Sequence, residues 1–196
     1  MSSPEFQLPA VYDRFAAEQP FSPGIRDLYM KEFKYPAAPD GFLKDGDRFT
    51  DKDFSLKVVA TPGHWGDCVS FVEENTRLVF CGDAVQGRGL DGNAPFYVDS
   101  ERYAASLQLI REERPMALLG GHMLVMGPQT CLQMLDVSAH ICSEFDRFAA
   151  RVPEVASPVK AARELCKKFD FAFGMHAVSV LFAHMKAKER RYGKRA

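Results

Sequence analysis

No apolar run in the sequence reaches the ~20 residues that a membrane span requires. Nor does its opening, MSSPEFQLPA, show the basic-then-apolar pattern of a secretory signal. Neither sign of charge dominates: 25 Lys and Arg stand against 26 Asp and Glu, for a net charge of -1. No global field therefore draws the chain to nucleic acid or to an anionic membrane. The one basic stretch, KAKERRYGKRA, reads as a solvated helix end. Cysteine is sparse as well. Cys68, Cys81, Cys131, Cys142 and Cys166 are odd in number and never spaced C-x-x-C, which argues against a disulfide framework or a cysteine-built metal site. They sit in apolar runs, where free cysteine acts as a small buried hydrophobe, and the expected home is the reducing cytoplasm. Histidine is scarce in a more telling way: there are five, and none precedes His64.

What is present is the composition of a soluble globular domain, 46% apolar and 26% charged, long enough for one real core. Three segments are expected. Residues 1–48 are rich in Pro, Gly and aromatics and should pack on the domain, with short helices in VYDRFAAEQ and GIRDLYMKEF. Residues 49–152 form the core, and residues 153–196 a helical extension. In the core FSLKVVATP, DCVSFVEE and TRLVFCGD read as strands, the last two joined by a tight turn at Glu74-Asn75-Thr76. A loop with Gly82, Gly87, Gly89 and Gly92 follows. DSERYAASLQLIREER then predicts a helix capped by Asp99 or Ser100, with Tyr103, Leu107 and Ile110 inward. MALLGG reads as one more buried strand. Beyond it, Met134, Ser138, Ile141, Phe145 and Phe148 advance by three and four as a helical stripe. Ser157-Pro158 starts a further helix, and after Gly174 the last presents Met175, Val178, Phe182 and Met185.

Three of these strands leave through glycine-containing turns, and each exit bears one group able to hold a metal: His64 after VVATPG, Asp83 after VFCG, His122 after LLGG. Taken singly, each is an ordinary loop residue. Together they pair two imidazoles with a carboxylate that can bridge two ions, a donor set suited to zinc or a similar divalent cation. Trp65, the only tryptophan, either lines the mouth of such a site or anchors packing beside it. His140, His176 and His184 lie in predicted helices, and structural roles are expected of them.

The sequence of TPGH, GDAVQGRG, DxxxYxxSLxxI and GGHM, spread over residues 40–130, resembles the C-terminal half of a metallo-β-lactamase-fold hydrolase. The resemblance implies an α+β fold, an αββα sandwich with trailing C-terminal helices. It also implies a centre of one or two zinc ions, with Fe or Mn as alternatives. By it, His64 and His122 are ligands of two different metal positions and Asp83 lies between them, as ligand and catalytic group. The family hydrolyses small esters, thioesters, lactones and phosphodiesters.

The family's H-x-H-x-D-H run has no counterpart here. The expectation is therefore a truncated or degenerate hydrolase in an incomplete sandwich, with half of the ligands missing. An uncovered sheet face would then be open to homo-oligomerisation. The alternative is a non-catalytic remnant acting as an interaction partner or subunit. A metal-free Asp83–His64 acid–base pair lacks a nucleophile, since neither Ser70 nor Ser106 has an elbow setting and Cys68 and Cys81 lie in core-like runs.

Overall fold

The computed structural model describes residues 41–153 and 157–192; the two N-terminal helices expected above lie outside these residues. Six strands form one sheet in chain order: β1 (Arg48–Asp51), β2 (Phe54–Ala60), β3 (Val69–Glu73), β4 (Leu78–Gly82), β5 (Ala117–Gly120) and β6 (Leu124–Met126). Every neighbouring pair is antiparallel except β4 and β5, which run parallel. Parallel neighbours need a crossover, and α1 (Ser100–Glu112) supplies it. The remaining described helices are α2 (Pro128–Ala150), α3 (Pro158–Phe169) and α4 (Met175–Tyr192).

Alternation along the strands sorts the sheet into two faces. Val59, Val72, Val79, Leu118 and Val125 point to one side, where α1 and α2 cover them, and all are buried. Full burial of each such side chain contributes roughly 1.5–3 kcal/mol. The opposite face is apolar too. Phe49, Phe54, Leu119, Leu124 and Met126 on it keep 37–69% of their surface exposed, whereas Val58 on the same face is fully buried. The fold is thus α+β, and the described residues form one sheet with helices on one side of it.

The local signals behave as their chemistry predicts. Asp99 caps α1 by accepting from the N–H groups of Glu101 and Arg102, and Tyr103, Leu107 and Ile110 are buried. Ser157 caps α3 by accepting from Lys160 N–H. The β3–β4 turn closes on Glu73, whose carboxylate accepts from Thr76 N–H at 2.7 Å and from its hydroxyl at 2.5 Å. These bonds hold its pKa down at about 2.

Four details differ from expectation. β1 and β6 are strands too short, at four and three residues, to show a period. α4 buries a broader face than one stripe, Ala177, Val178, Val180, Leu181, Ala183, His184 and Ala187, because α1, α2 and α3 all pack against it. Met175, Phe182 and Met185 lie at the rim of that face, only half-buried. Arg190 and Arg191, read as part of a solvated tail, instead pair with Asp99, Glu101 and Asp146. Finally, His140 and His176 lie exposed at the surface.

His184 does take the expected structural role. It is 1% exposed, accepts from the Tyr97 hydroxyl through Nε2 at 2.9 Å, and donates from Nδ1 to Asp146 at 3.3 Å. That geometry satisfies a neutral imidazole. Burial pushes the His184 pKa below its ordinary value, against the pull of Asp146. The Asp146 carboxyl, in turn, is held at about 2 by its bonds from His184 and Arg191. A histidine depressed in the folded state contributes stability that is complete above its unfolded pKa of ~6.5 and declines as pH falls below it. Urea unfolding at pH 7.5 and 5.5 should therefore show a loss of stability on acidification, and His184→Gln should shrink that loss. An equal loss in the variant would contradict this assignment.

Candidate metal centre

Strand direction brings the three predicted groups together. β2 is antiparallel to β3, and β3 to β4, so β2 runs the same way as β4; β5 is parallel to β4. The C-terminal ends of β2, β4 and β5 therefore share one edge of the sheet. His64, Asp83 and His122 each follow one of those ends.

Asp83 sits in the middle. Its Oδ2 lies 3.7 Å from His64 Nε2 and its Oδ1 lies 3.7 Å from His122 Nε2. Exposure rises outward, with 16% for His64, 32% for Asp83 and 60% for His122. The backbone makes this approach feasible at two points. A register shift between Phe80 and Gly82 bulges β4 immediately before Asp83 and re-aims the chain. A Cβ on Gly121 would lie 2.6 Å from Asp83 Oδ1, so any other residue there would displace the carboxylate.

The turn bearing His64 is fastened to α1. Gly63 has φ 137°, and a Cβ there would come within 2.4 Å of the Tyr103 backbone. Its carbonyl accepts from Val98 and Asp99 N–H, and Ser106 Oγ donates to the Pro62 carbonyl at 2.6 Å. The imidazole is oriented by one bond from Nδ1–H to the Phe96 carbonyl, 2.8 Å. This fixes the tautomer that leaves the Nε2 lone pair facing Asp83, as an outer partner does for a metal-ligating histidine. Gln86 locks the arrangement. Its Nε2 donates to the carbonyls of Phe96 at 2.5 Å and Asp83 at 3.0 Å, while its Oε1 accepts from Phe96 N–H at 2.8 Å. Nothing in the local sequence context of Gln86 distinguishes it from an ordinary loop glutamine.

The donor set fits a divalent cation in kind and spacing. Separations of 3.7 Å are too long for hydrogen bonds, yet close to the roughly 3.3–3.5 Å between two donors of one tetrahedral zinc. In number the set is incomplete among the described residues. Each histidine shares the carboxylate with the other, giving two protein donors per position where a catalytic zinc takes three. Among the described residues no group of three or more His, Cys, Asp or Glu converges on one metal position. Among the described residues no cysteine joins these groups to make a set of three donors for one ion.

The His64 ring also lies near those of Trp65 and Phe96, both half-buried, at 6.1 and 5.4 Å between centroids, and Phe96 lies 5.3 Å from His176. Neither Phe96 nor His176 was expected at the site from sequence. The first follows a proline in an irregular loop, and the second is far along the chain on α4.

Comparisons with known proteins bear on the family and the fold. The curated relatives include a hydroxyacylglutathione hydrolase of Francisella tularensis subsp. novicida, 41% identical over 54 residues, which are 28% of this chain and 21% of that protein. They also include thioesterase pkgB of Emericella nidulans, 33% identical over 93 residues, 44% of this chain and 26% of that one. A Caenorhabditis elegans beta-lactamase-like protein 2 homolog is 31% identical over 81 residues, 41% of this chain and 26% of that one. The matches thus span only 21–26% of these relatives' own lengths. Among solved structures, a metallo-beta-lactamase family protein from Thermus thermophilus superposes with a TM-score of 0.67 at 18% identity. The alignment covers 97% of this chain and 62% of that one. A beta-lactamase domain protein from Burkholderia ambifaria gives 0.63 at 20% identity, covering 93% and 57%. The family model of the metallo-beta-lactamase superfamily matches residues 5–122. That match begins well ahead of the motif-bearing region, in a segment that contains no histidine. With more than half of its length matched, the chain belongs to the metallo-beta-lactamase superfamily.

Proposed function

We propose that this chain carries a metal-dependent hydrolase site for acyl esters, thioesters foremost, in which His64, Asp83 and His122 are metal ligands. The observation that supports this reading is the Asp83 carboxylate, which offers one oxygen to each imidazole at equal, hydrogen-bond-excluding separation. The substrate class draws on relatives named for an acyl group carried on glutathione and for thioesterase activity.

A zinc ion held there supplies Lewis-acid polarisation of a carbonyl and a water acidic enough to act near neutral pH. The protein's own contribution is to preorganise. Phe96 and Gln86 fix the His64 ring, Gly121 leaves room for the carboxylate, and Asp83 can accept a proton from water and orient it toward the acyl carbon. His122, the most exposed of the three, stands on the solvent side.

The count of two donors per position favours a second reading, a non-catalytic subunit acting through its surface. The exposed apolar side chains Leu119, Leu124 and Met126 would then meet a second copy. The readings separate on one variant. Under the second, His64→Ala/Asp83→Ala keeps the sedimentation behaviour of the parent chain, and neither form hydrolyses thioesters.

Two outcomes are expected under the hydrolase reading. In chelator-competition titrations, Asp83→Ala should weaken zinc binding more than either single histidine variant, because it serves both positions. Gln86→Ala should cost roughly tenfold, the lower end for loss of an outer partner. With zinc added, the parent chain should cleave an acyl-thioester, and Asp83→Ala should lose at least about 100-fold of that rate. Turnover unchanged in the variant would sink the assignment.

A further inference from the structure

We propose that Ser138 is a positioning residue of this site: through Gly87 and Gln86, its buried hydroxyl holds the loop that fixes the His64 tautomer. The sequence puts Ser138 in the apolar stripe of α2, and it is buried there at 1% exposure, on the same face as Leu135, Ile141 and Cys142. Its Oγ donates to the Met134 carbonyl one turn back, at 2.9 Å. A serine bonded back to its own helix gives that helix nothing that alanine would not. The distinctive contribution of the hydroxyl lies outside the helix, where it accepts from the Gly87 N–H, also at 2.9 Å.

That bond ties α2 to the site loop. Gly87 is buried, and a buried N–H left without an acceptor is costly. Its backbone is left-handed, at φ 56°, and a Cβ there would come within 2.9 Å of Met134 Sδ. Met134 and Ser138 are four residues apart and so share one side of the helix, which makes a single turn of α2 the seat of the loop. The residue just before Gly87 is Gln86. Its side-chain amide grips the carbonyls of Asp83 and Phe96 and the Phe96 N–H.

The contacts act in series: Ser138 on Gly87, Gln86 on Phe96, and the Phe96 carbonyl on His64 Nδ1–H. Without the hydroxyl, Gly87 turns its N–H toward another acceptor and carries Gln86 with it. His64 then loses the fixed acceptor that keeps its proton on Nδ1 and its lone pair on Nε2, the atom facing Asp83. A serine with a purely structural role would cost stability and leave the ring untouched. The effect on the imidazole stands by itself; only its consequence for zinc rests on the metal-site reading above.

Nitrogen NMR of the histidine rings in full-length, chelator-treated protein reads the tautomer without metal or turnover, with His64→Gln identifying the resonances. At a pH where the ring is neutral, Nδ1 of the parent chain should appear protonated and Nε2 bare. Ser138→Ala should move both toward a tautomeric mixture, and Gln86→Ala should do the same. The double variant should move them no further than Gln86→Ala alone, because the two residues act in series. Ile141→Val, a buried change on the same helix, should leave them in place. Ser138→Cys fills the same space with a weaker acceptor; it should give a smaller shift in the same direction, and it decides the matter if the alanine variant does not fold. With zinc added, Ser138→Ala should weaken binding by roughly three- to tenfold, at or below the effect of losing a direct outer partner. A parent ring without one dominant tautomer, a tautomer unmoved in the folded Ser138 variants, an equal shift in Ile141→Val, or additive shifts in the double variant would each overturn the proposal. Absence of zinc binding with the tautomer shift intact would remove the metal-site reading and leave the role of Ser138. Zinc held against Asp83 with the tautomer unmoved would do the reverse.

Discussion

The site depends on the shared direction of β2, β4 and β5. Two antiparallel steps across β3 and one parallel step to β5 put the three C-terminal ends on one edge of the sheet. Residues separated by tens of positions in sequence are thereby delivered to one place with no long-range device other than strand pairing. The parallel step is the costly one, since it requires the α1 crossover. That same helix then serves the site: its first turns hold down the turn that carries His64, through Gly63, Ser106 and the close approach of Tyr103. Crossover and site support are one element.

Around this frame the outer contacts form a continuous chain. Gln86 binds the backbones of both Asp83 and Phe96, and the Phe96 carbonyl sets the His64 tautomer. The next residue, Tyr97, reaches the buried His184, which is tied to Asp146 and, through it, to Arg191. The trailing helices thus fasten the loop that orients His64. One hydrophobic cluster spans the sheet, α1, α2, α3 and α4, so disturbing the helices would reach the site through the Tyr97 segment.

Much of this was legible in the residues. Pro-Gly-His, Gly-Asp and Gly-Gly-His at strand ends marked the three candidate groups, because glycine is needed where a backbone turns against a neighbour and its donor. The 117–120 strand and the caps at Asp99 and Ser157 were readable from local chemistry alone. What escaped has physical reasons. β1 and β6 are too short for a period to show. α4 is covered on several sides, so its burial does not follow a single stripe. His176 reads like any helical histidine until the tertiary fold places it against Phe96. Gln86 acts through backbone carbonyls, and a residue whose partners are main-chain atoms leaves no pattern in the sequence. The salt links of Arg190 and Arg191 depend on the acidic start of α1, far earlier in the chain.

The central claim is that Asp83 is a carboxylate shared between two metal positions, one on the His64 side and one on the His122 side. Anomalous diffraction at the zinc edge, from crystals of the zinc-loaded protein, tests it most directly. Zinc density is expected within ~2.0–2.2 Å of His64 Nε2 or His122 Nε2 and of the facing Asp83 oxygen. Zinc bound elsewhere, at His140, at His176 or at a cysteine, with none against Asp83, would contradict it.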